Sequence, residues 1–427
     1  MKSEKRKIIL CSGIANTFEW YDYALFGNFA EIIGKKFFPS DDPHASMLNA
    51  FLVFAVGYLM RPIGGIFFGV IGDKYGRKFA LSSSIMCMAL PTAIIGIIPT
   101  YDAIGPLASW IMVIMRMLQG LSMGGALTGS ISFLIEHTEH KNRGFVGSIP
   151  MSSICLGIFL GTIVSYITRS SFSKEEFELF GWRIPFIIGI LILFVGFYIK
   201  RYTEETPLFK AMQQEKRIVA SPLKVVMKNN LFDMLISLLI NSIGSVIFYF
   251  QAIYVPNYLK YTRGFSHDKV DQLNLCCYII MAIACMISGK ISDKLKSRKR
   301  IFVFIIANLL ISITAINDSI EFGDWSFVIF AQVVLSIIAA FYIGPEPALQ
   351  AEFYPTEIRS TALSISYNLA TSIFGGTTPY IIGYLYSKTH SLYGCGYYVI
   401  ATSILSLIGL MLYKTRYENI QSLKAAL

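Results

Sequence analysis

Arg61 to Lys78 reads RPIGGIFFGVIGDKYGRK. Its apolar, glycine-rich part is hydrophobic enough to lie in lipid. The charges after Gly72 are not, so the stretch marks the point where a membrane helix meets water. Gly65 and Gly69 lie four apart on one helix face, a small-xxx-small spacing that lets membrane helices approach closely. Asp73 falls at the break, where a carboxylate complements the N-terminus of a neighbouring helix. An ordinary loop with anchoring cations accounts for Lys74, Arg77 and Lys78 singly. It does not account for the whole spacing Gly69-xxx-Asp73-Lys74-x-Gly76-Arg77-Lys78.

Working outward, the same apolar character runs through the chain. Of 427 residues, 54% are hydrophobic and 15% charged, with a mean hydropathy of +0.56. A soluble domain has no use for that much apolar surface. Continuous apolar runs, rather than alternating ones, predict an all-α membrane protein. The net charge of +10 is spread in a way that argues against nucleic acid. If the N-terminus is cytoplasmic, 26 of the 37 Lys and Arg fall on that side. This bias predicts that both termini are cytoplasmic, in the inner (plasma) membrane of a bacterium. The cations then serve orientation and contact with lipid headgroups. The seven cysteines form no CxxC pair and no His/Cys cluster, so packing is their expected role, with no metal and no cofactor. Lys2, Lys5, Arg6 and Lys7 imitate the start of a signal peptide, but Glu19 and Asp22 interrupt the apolar run behind them. We read that run as a retained first helix.

Twelve spans are expected, at roughly 10–34, 48–72, 79–99, 107–135, 145–168, 183–200, 232–258, 271–291, 301–317, 325–350, 361–386 and 394–413. A polar interruption over 201–230 divides them into an N-terminal bundle (1–200) and a C-terminal bundle with a short tail (231–427). An internal repeat supports the division. Glu136-x6-Arg143 recurs as Glu352-x6-Arg359, and Gly69-xxx-Asp73-Lys74 as Gly289-xxx-Asp293-Lys294, at offsets of 216 and 220 residues. The expectation is two pseudo-symmetric six-helix bundles with a site at mid-membrane. The second copy is decayed, with Lys296 standing where Gly76 stands in the first.

Charged residues inside spans are costly and face polar cavities or each other, so they are the candidates for chemistry. Glu19 and Asp22 share a face of the first helix, extended by Tyr23 and Phe26. They suit proton coupling, or a structural pairing with Arg61 or Arg116. Arg116, followed by Gln119 and several glycines, needs an anion: a carboxylate of the first helix or one on a substrate. Arg61, before Pro62, is structural or gate-lining. Glu346, between Pro345 and Pro347, is a further intramembrane acid in a segment whose backbone is broken. Gln119, Asn241, Gln251 and Asn368 are polar candidates for the same cavity or interhelical hydrogen bonds. Trp20, Tyr21, Tyr249 and Tyr254, with Tyr23 and Phe248 nearby, can make a cation–π box for a quaternary ammonium if they converge. Asp73, Lys74, Arg77, Lys78, Glu136, Arg143, Asp293, Lys294, Glu352 and Arg359 lie at the cytoplasmic mouth, where we expect a gating network. No nucleophile–base or metal spacing is visible, so an enzyme is not expected.

The Gly-Asp-Lys-Gly-Arg-Lys loop and the paired Glu-x6-Arg loops resemble the major facilitator superfamily. More narrowly, Asn16-Thr-Phe-Glu-Trp-Tyr-Asp22-Tyr23, Arg61-Pro-Ile-Gly-Gly65, Gly181-Trp-Arg-Ile-Pro185, Glu205-Thr-Pro-Leu-Phe209 and Phe353-Tyr-Pro-Thr-Glu-Ile-Arg359 resemble its metabolite:proton symporters. The first outer loop, Phe37-Phe-Pro-Ser-Asp-Asp-Pro43, adds to the likeness, which runs from about residue 12 to 415. The resemblance implies twelve helices in two bundles, alternating access and import driven by protons. It implies that Asp73 and Arg77 stabilise an outward-facing state, and that Arg116 and the first-helix carboxylates act in coupling or substrate contact. The implied substrate is a small zwitterion such as proline or glycine betaine. An organic acid held by Arg116 is the alternative, and a transport-dead sensor a remoter one. A monomer is favoured. Two departures matter: Ala126 stands where relatives carry a glutamate, and the tail to Leu427 leaves no room for the C-terminal coiled coil of an osmosensing subgroup. The fifth span lacks the Gly-Pro pattern of antiporters, which favours symport.

Overall fold

The computed structural model describes residues 2–40 and 43–413; Met1, the outer-loop residues Asp41 and Asp42, the tail after Tyr413, and the side chains of residues 2–6, 43–48, 50, 51 and 54 lie outside what is described. Among the described residues the chain is helical and holds no strand. Among the described residues, ten helical stretches are long and apolar enough to cross a membrane, which makes this a multi-pass membrane protein. The two expected spans missing from that count are present as helices. The first, Lys2–Asn28, carries Glu19 and Asp22. The eleventh, Arg359–Ala370 continued by Thr378–Thr389, carries Ser360, Thr361, Ser364, Ser366 and Asn368 on buried positions. Both are long enough to span but too polar to register by hydropathy.

The remaining helices follow the expected order. The second is Pro43–Tyr75, the third Arg77–Ile97, the fourth Pro106–Glu136 and the fifth Arg143–Ser171. The sixth is broken into Arg183–Ile188 and Leu191–Tyr202, and the seventh is Leu231–Tyr249. The eighth is His267–Lys294, the ninth Lys299–Glu321 and the twelfth Leu392–Leu412. The tenth is Trp325–Ile343 followed, after Gly344 and Pro345, by Glu346–Phe353. Pro62, Pro91 and Pro150 sit inside helices, as membrane helices allow when neighbours satisfy the freed carbonyls.

The chain divides into two compact units. Unit 1 comprises Met1–His137 with Ser153–Pro222, and unit 2 Thr138–Ser152 with Leu223–Leu427. The first half of the expected linker is docked rather than free. The short helix Pro207–Gln214 buries Phe209 and Met212 in unit 1. The first turns of the fifth helix group with unit 2, for reasons given below.

Inside unit 1 the second and fourth helices meet backbone to backbone. A Cβ placed on Gly120 would lie 1.8 Å from the Gly57 carbonyl oxygen, and one on Gly124 2.1 Å from that of Arg61 and 2.5 Å from the Gly65 nitrogen. No side chain fits there, so the glycines set the helix separation. The expected Gly65 is at the edge of this contact; its centre lies at Gly57 and Gly64.

Candidate functional site

The glycine crossing puts the second and fourth helices close enough for their arginines to share a space with the first helix. Asp22 is fully buried, and Oδ2 lies 3.6 Å from Arg116 Nη1. Gln119, one turn past Arg116, ties the pair together. Its Oε1 accepts from Arg116 Nη1 at 2.7 Å, and its Nε2 donates to Asp22 Oδ2 and Thr92 Oγ1, both at 2.9 Å. The Arg116 guanidinium also lies 4.0 Å from the centre of the Phe26 ring and 5.8 Å from that of Tyr23. Arg61 is 4.9 Å from the Tyr58 ring, which meets Tyr23 edge-on at 5.7 Å. Glu19, also buried, has Arg61 as its electrostatic partner. Among the described residues, Glu19 Oε2 and Asp22 Oδ1 accept no hydrogen bond. Tyr23, Tyr58, Arg61, Arg116, Gln119 and Met123 close around a narrow gap with no room for a water molecule.

This cluster holds two carboxylates and two guanidiniums away from water, with acceptor capacity left over. A buried ion pair is weakly stabilising by itself, but losing one partner strands the other charge at high cost. Such a site can exchange one anion for another on a guanidinium, or take up a proton at a carboxylate.

Glu346 is the intramembrane acid of unit 2. It begins the second half of the tenth helix, is buried, and packs beside Gly244 and Tyr342. The other polar candidates of unit 2 make local bonds. Asn241 donates to Ser237 O (3.2 Å), Asn368 to Ser364 O (2.8 Å) and Gln251 to Ser336 Oγ (2.9 Å).

The aromatic candidates scatter. In unit 1, Trp20 meets Tyr23 edge-on at 5.5 Å, but the Tyr21 hydroxyl donates to Pro185 O at 3.1 Å and its ring joins the apolar core with Leu25 and Phe29. In unit 2, Tyr249 contacts Phe248 and crowds Gly375, while Tyr254 stacks on Phe250 and Tyr258. Neither unit by itself forms the expected box.

At the Asp73 end of unit 1, Arg77 is fully buried between Asp73 (3.1 Å) and Glu136 (3.2 Å). Thr206 Oγ1 donates to Glu136 Oε2 at 2.7 Å. Glu205 Oε1 accepts the backbone N–H groups of Arg77 (3.1 Å) and Lys78 (3.2 Å), capping the third helix with a negative charge. Gly76 makes this possible: φ is +111°, and a Cβ there would lie 2.1 Å from Glu205 Oε2. Burial pushes the Glu205 carboxyl up from its ordinary range, against the opposing pull of the Thr206 and Lys78 N–H groups and Arg77. Lys74 and Lys78 stand half-buried at the rim.

Unit 2 repeats the arrangement. Arg298 lies between Asp293 (2.8 Å) and Glu352 (3.1 Å). Asp293 also accepts the N–H groups of Gly144 (2.7 Å) and Phe145 (2.8 Å), capping the fifth helix, which is why that helix starts in unit 2. Glu352 is 3.4 Å from His140 and 3.8 Å from Arg143. Arg359 donates to the carbonyls of Ala351 (2.8 Å) and Tyr354 (3.3 Å), and Lys294 is exposed. The repeat is therefore a triad, Asp73–Arg77–Glu136 and Asp293–Arg298–Glu352. Arg298 follows Arg77 by 221 residues, one step off the 220 of the aspartates, which hides it in the sequence. Tyr58, Thr92 and Arg298 are residues that sequence reasoning did not pick out, and Glu205 entered it only as part of a motif.

A profile of the Major Facilitator Superfamily matches residues 13–317. The chain is 32% identical over 415 residues to a putative proline/betaine transporter of Staphylococcus haemolyticus, covering 94% of this chain and 86% of that protein. It is 32% identical over 417 residues to the proline/betaine transporter of Escherichia coli K12, covering 94% and 82%. Among solved structures, the proton:xylose symporter XylE bound to 6-bromo-6-deoxy-D-glucose shares the fold, with a TM-score of 0.76 at 18% identity over 96% of this chain and 95% of that one.

Proposed function

The chain belongs to the major facilitator superfamily of membrane transporters, and from that premise we propose that it is a proton-coupled symporter importing a small zwitterion such as proline or glycine betaine. The reading places it in a bacterial inner membrane with both termini cytoplasmic, in line with the bias of its Lys and Arg. One observation carries the assignment of the site: Arg116 is neutralised by Asp22 through the exchangeable bridge of Gln119. A substrate carboxylate that takes over the guanidinium releases Asp22, so solute binding and the charge of the first helix are linked. The aromatic faces of Tyr23, Tyr58 and Trp20 suit the cationic end of a betaine. The names of the relatives point to the same solutes.

Within this reading the two triads, with Lys74, Lys78, Arg143, Lys294 and Arg359 around them, bias the alternation between outward and inward states. A second reading, transport of an organic acid, is favoured by the presence of two guanidiniums, Arg61 and Arg116, around one gap. Purified protein in vesicles separates the two. Under an inward proton gradient, labelled glycine betaine or proline should accumulate and a dicarboxylate should not compete. Accumulation of the dicarboxylate alone would replace the first reading by the second.

A further inference from the structure

The buried charges of the two units do not balance in the same way. In the core of unit 1, Glu19 and Asp22 stand against Arg61 and Arg116, so the cluster is neutral with both acids ionised. In unit 2, no cation among the described residues pairs with Glu346. The seventh helix faces it with Gly244, whose Cβ would lie 3.0 Å from Glu346 Oε2. The tenth faces it with Tyr342, whose hydroxyl is already engaged with Ile240 O and Ser406 Oγ, both at 2.6 Å. Asp233 of the seventh helix bonds to Asn230 (3.0 Å). Arg359 of the eleventh is committed to Ala351 O and Tyr354 O, beside the other end of the Glu346–Phe353 helix. Pro347 removes the next backbone donor. Among the described residues, Glu346 Oε1 has no hydrogen-bond partner.

An ionised carboxylate in such surroundings would be stranded at a cost of several kcal/mol, whereas a neutral acid leaves only a weaker polar group to satisfy. We propose that Glu346, rather than an acid of the first helix, carries the coupling proton. The group sits in unit 2 as a carboxylic acid, gives its proton to water when water reaches it on one side, and is reloaded from water on the other. No bond other than O–H forms or breaks. The proposal rests on the proton-coupled reading above and adds the residue to it.

The test uses the full chain in vesicles with labelled glycine betaine. Wild type should concentrate the solute under an inward proton gradient. With E346Q, a stand-in for the protonated form, accumulation should be no greater with the gradient than without it, and solute exchange should lose its pH dependence. Gradient-driven accumulation by E346Q that matches wild type would overturn the proposal. If wild type itself exchanges solute but never concentrates it under the gradient, the proton-coupled reading fails, a different outcome. Infrared difference spectroscopy covers the case where E346Q does not fold. The carbonyl band of a protonated carboxylic acid should persist in E19Q and D22N and vanish on raising pH. Its absence from wild type at neutral pH, or its loss in both E19Q and D22N, would also overturn the proposal.

Discussion

Arg116 is held near Asp22 by way of a third side chain: the 3.6 Å gap between them is bridged by Gln119, which accepts from one and donates to the other. The bridge makes the pair selective about geometry. Gln119 presents its carbonyl to the guanidinium and its amide to the carboxylate, and only one orientation of the amide serves both.

Replacing Gln119 by Ala should therefore impair transport without abolishing folding. Asp22 loses a donor and Arg116 an acceptor, a loss of about 1–3 kcal/mol where buried polar atoms are left unmatched. We expect transport efficiency to fall by roughly one to two orders of magnitude on that basis. R116K should do at least as much harm, since an ammonium keeps the charge but not the planar fork. Initial uptake rates against solute concentration give both values, and R116K transport equal to wild type would contradict the role assigned to the guanidinium.

The Arg77 triad predicts a stability effect. Arg77, Asp73 and Glu136 have no exposed side-chain surface in their pairings. R77Q leaves two carboxylates buried with a neutral amide between them, at a cost of about 3–5 kcal/mol. Thermal unfolding of detergent-solubilised protein should show a clear drop in Tm. R217Q, whose partner Glu215 is half exposed, should leave Tm nearly where it was.

Glycine substitutions test the helix crossing. G120A places a methyl group against the Gly57 carbonyl and should prevent normal packing of the second and fourth helices. G27A, which meets no atom within 4 Å, serves as the control. Yield of folded protein on size-exclusion chromatography separates them, and equal yields would show that the two helices are not locked as described.

Glu205 gives the pH prediction. Burial raises its carboxyl above the ordinary value of 4.5, so the folded chain holds this proton more tightly than the unfolded one. The stability that follows is present below about 4.5 and is lost as pH rises through the elevated folded value. Comparing wild type with E205Q should show the variant lacking this decline. A wild type that instead gains on the variant as pH rises from 4.5 would reverse the sign and refute the account.

How much of this was legible beforehand follows from the physics of each residue. Charges inside apolar spans are expensive, so Glu19, Asp22, Arg61, Arg116 and Glu346 stood out, and all five are buried. Thr92 and Tyr58 did not stand out, because hydroxyl groups are common in membrane helices; the partner of Thr92, Gln119, comes from another helix, whereas Tyr58 meets Arg61 one turn along its own. Arg298 was hidden by one residue of drift in the repeat. Glu205 was quoted for its surroundings but not for its task, since a cap is defined by the helix it meets, and the third helix starts 128 residues earlier. The aromatic candidates failed as a local group because helix rotation, which hydropathy does not fix, sends Tyr21 toward Pro185 and Tyr254 toward Tyr258.

The seam of bare backbone between the second and fourth helices has a mechanical consequence. With no intervening side chains to flex, Gly57, Gly64, Gly120 and Gly124 leave the two helices no play against each other. They must travel as one beam, and Arg61 and Arg116 ride on it at fixed spacing. On the transport reading proposed above, bending then falls elsewhere and the spacing of Arg61 and Arg116 is kept.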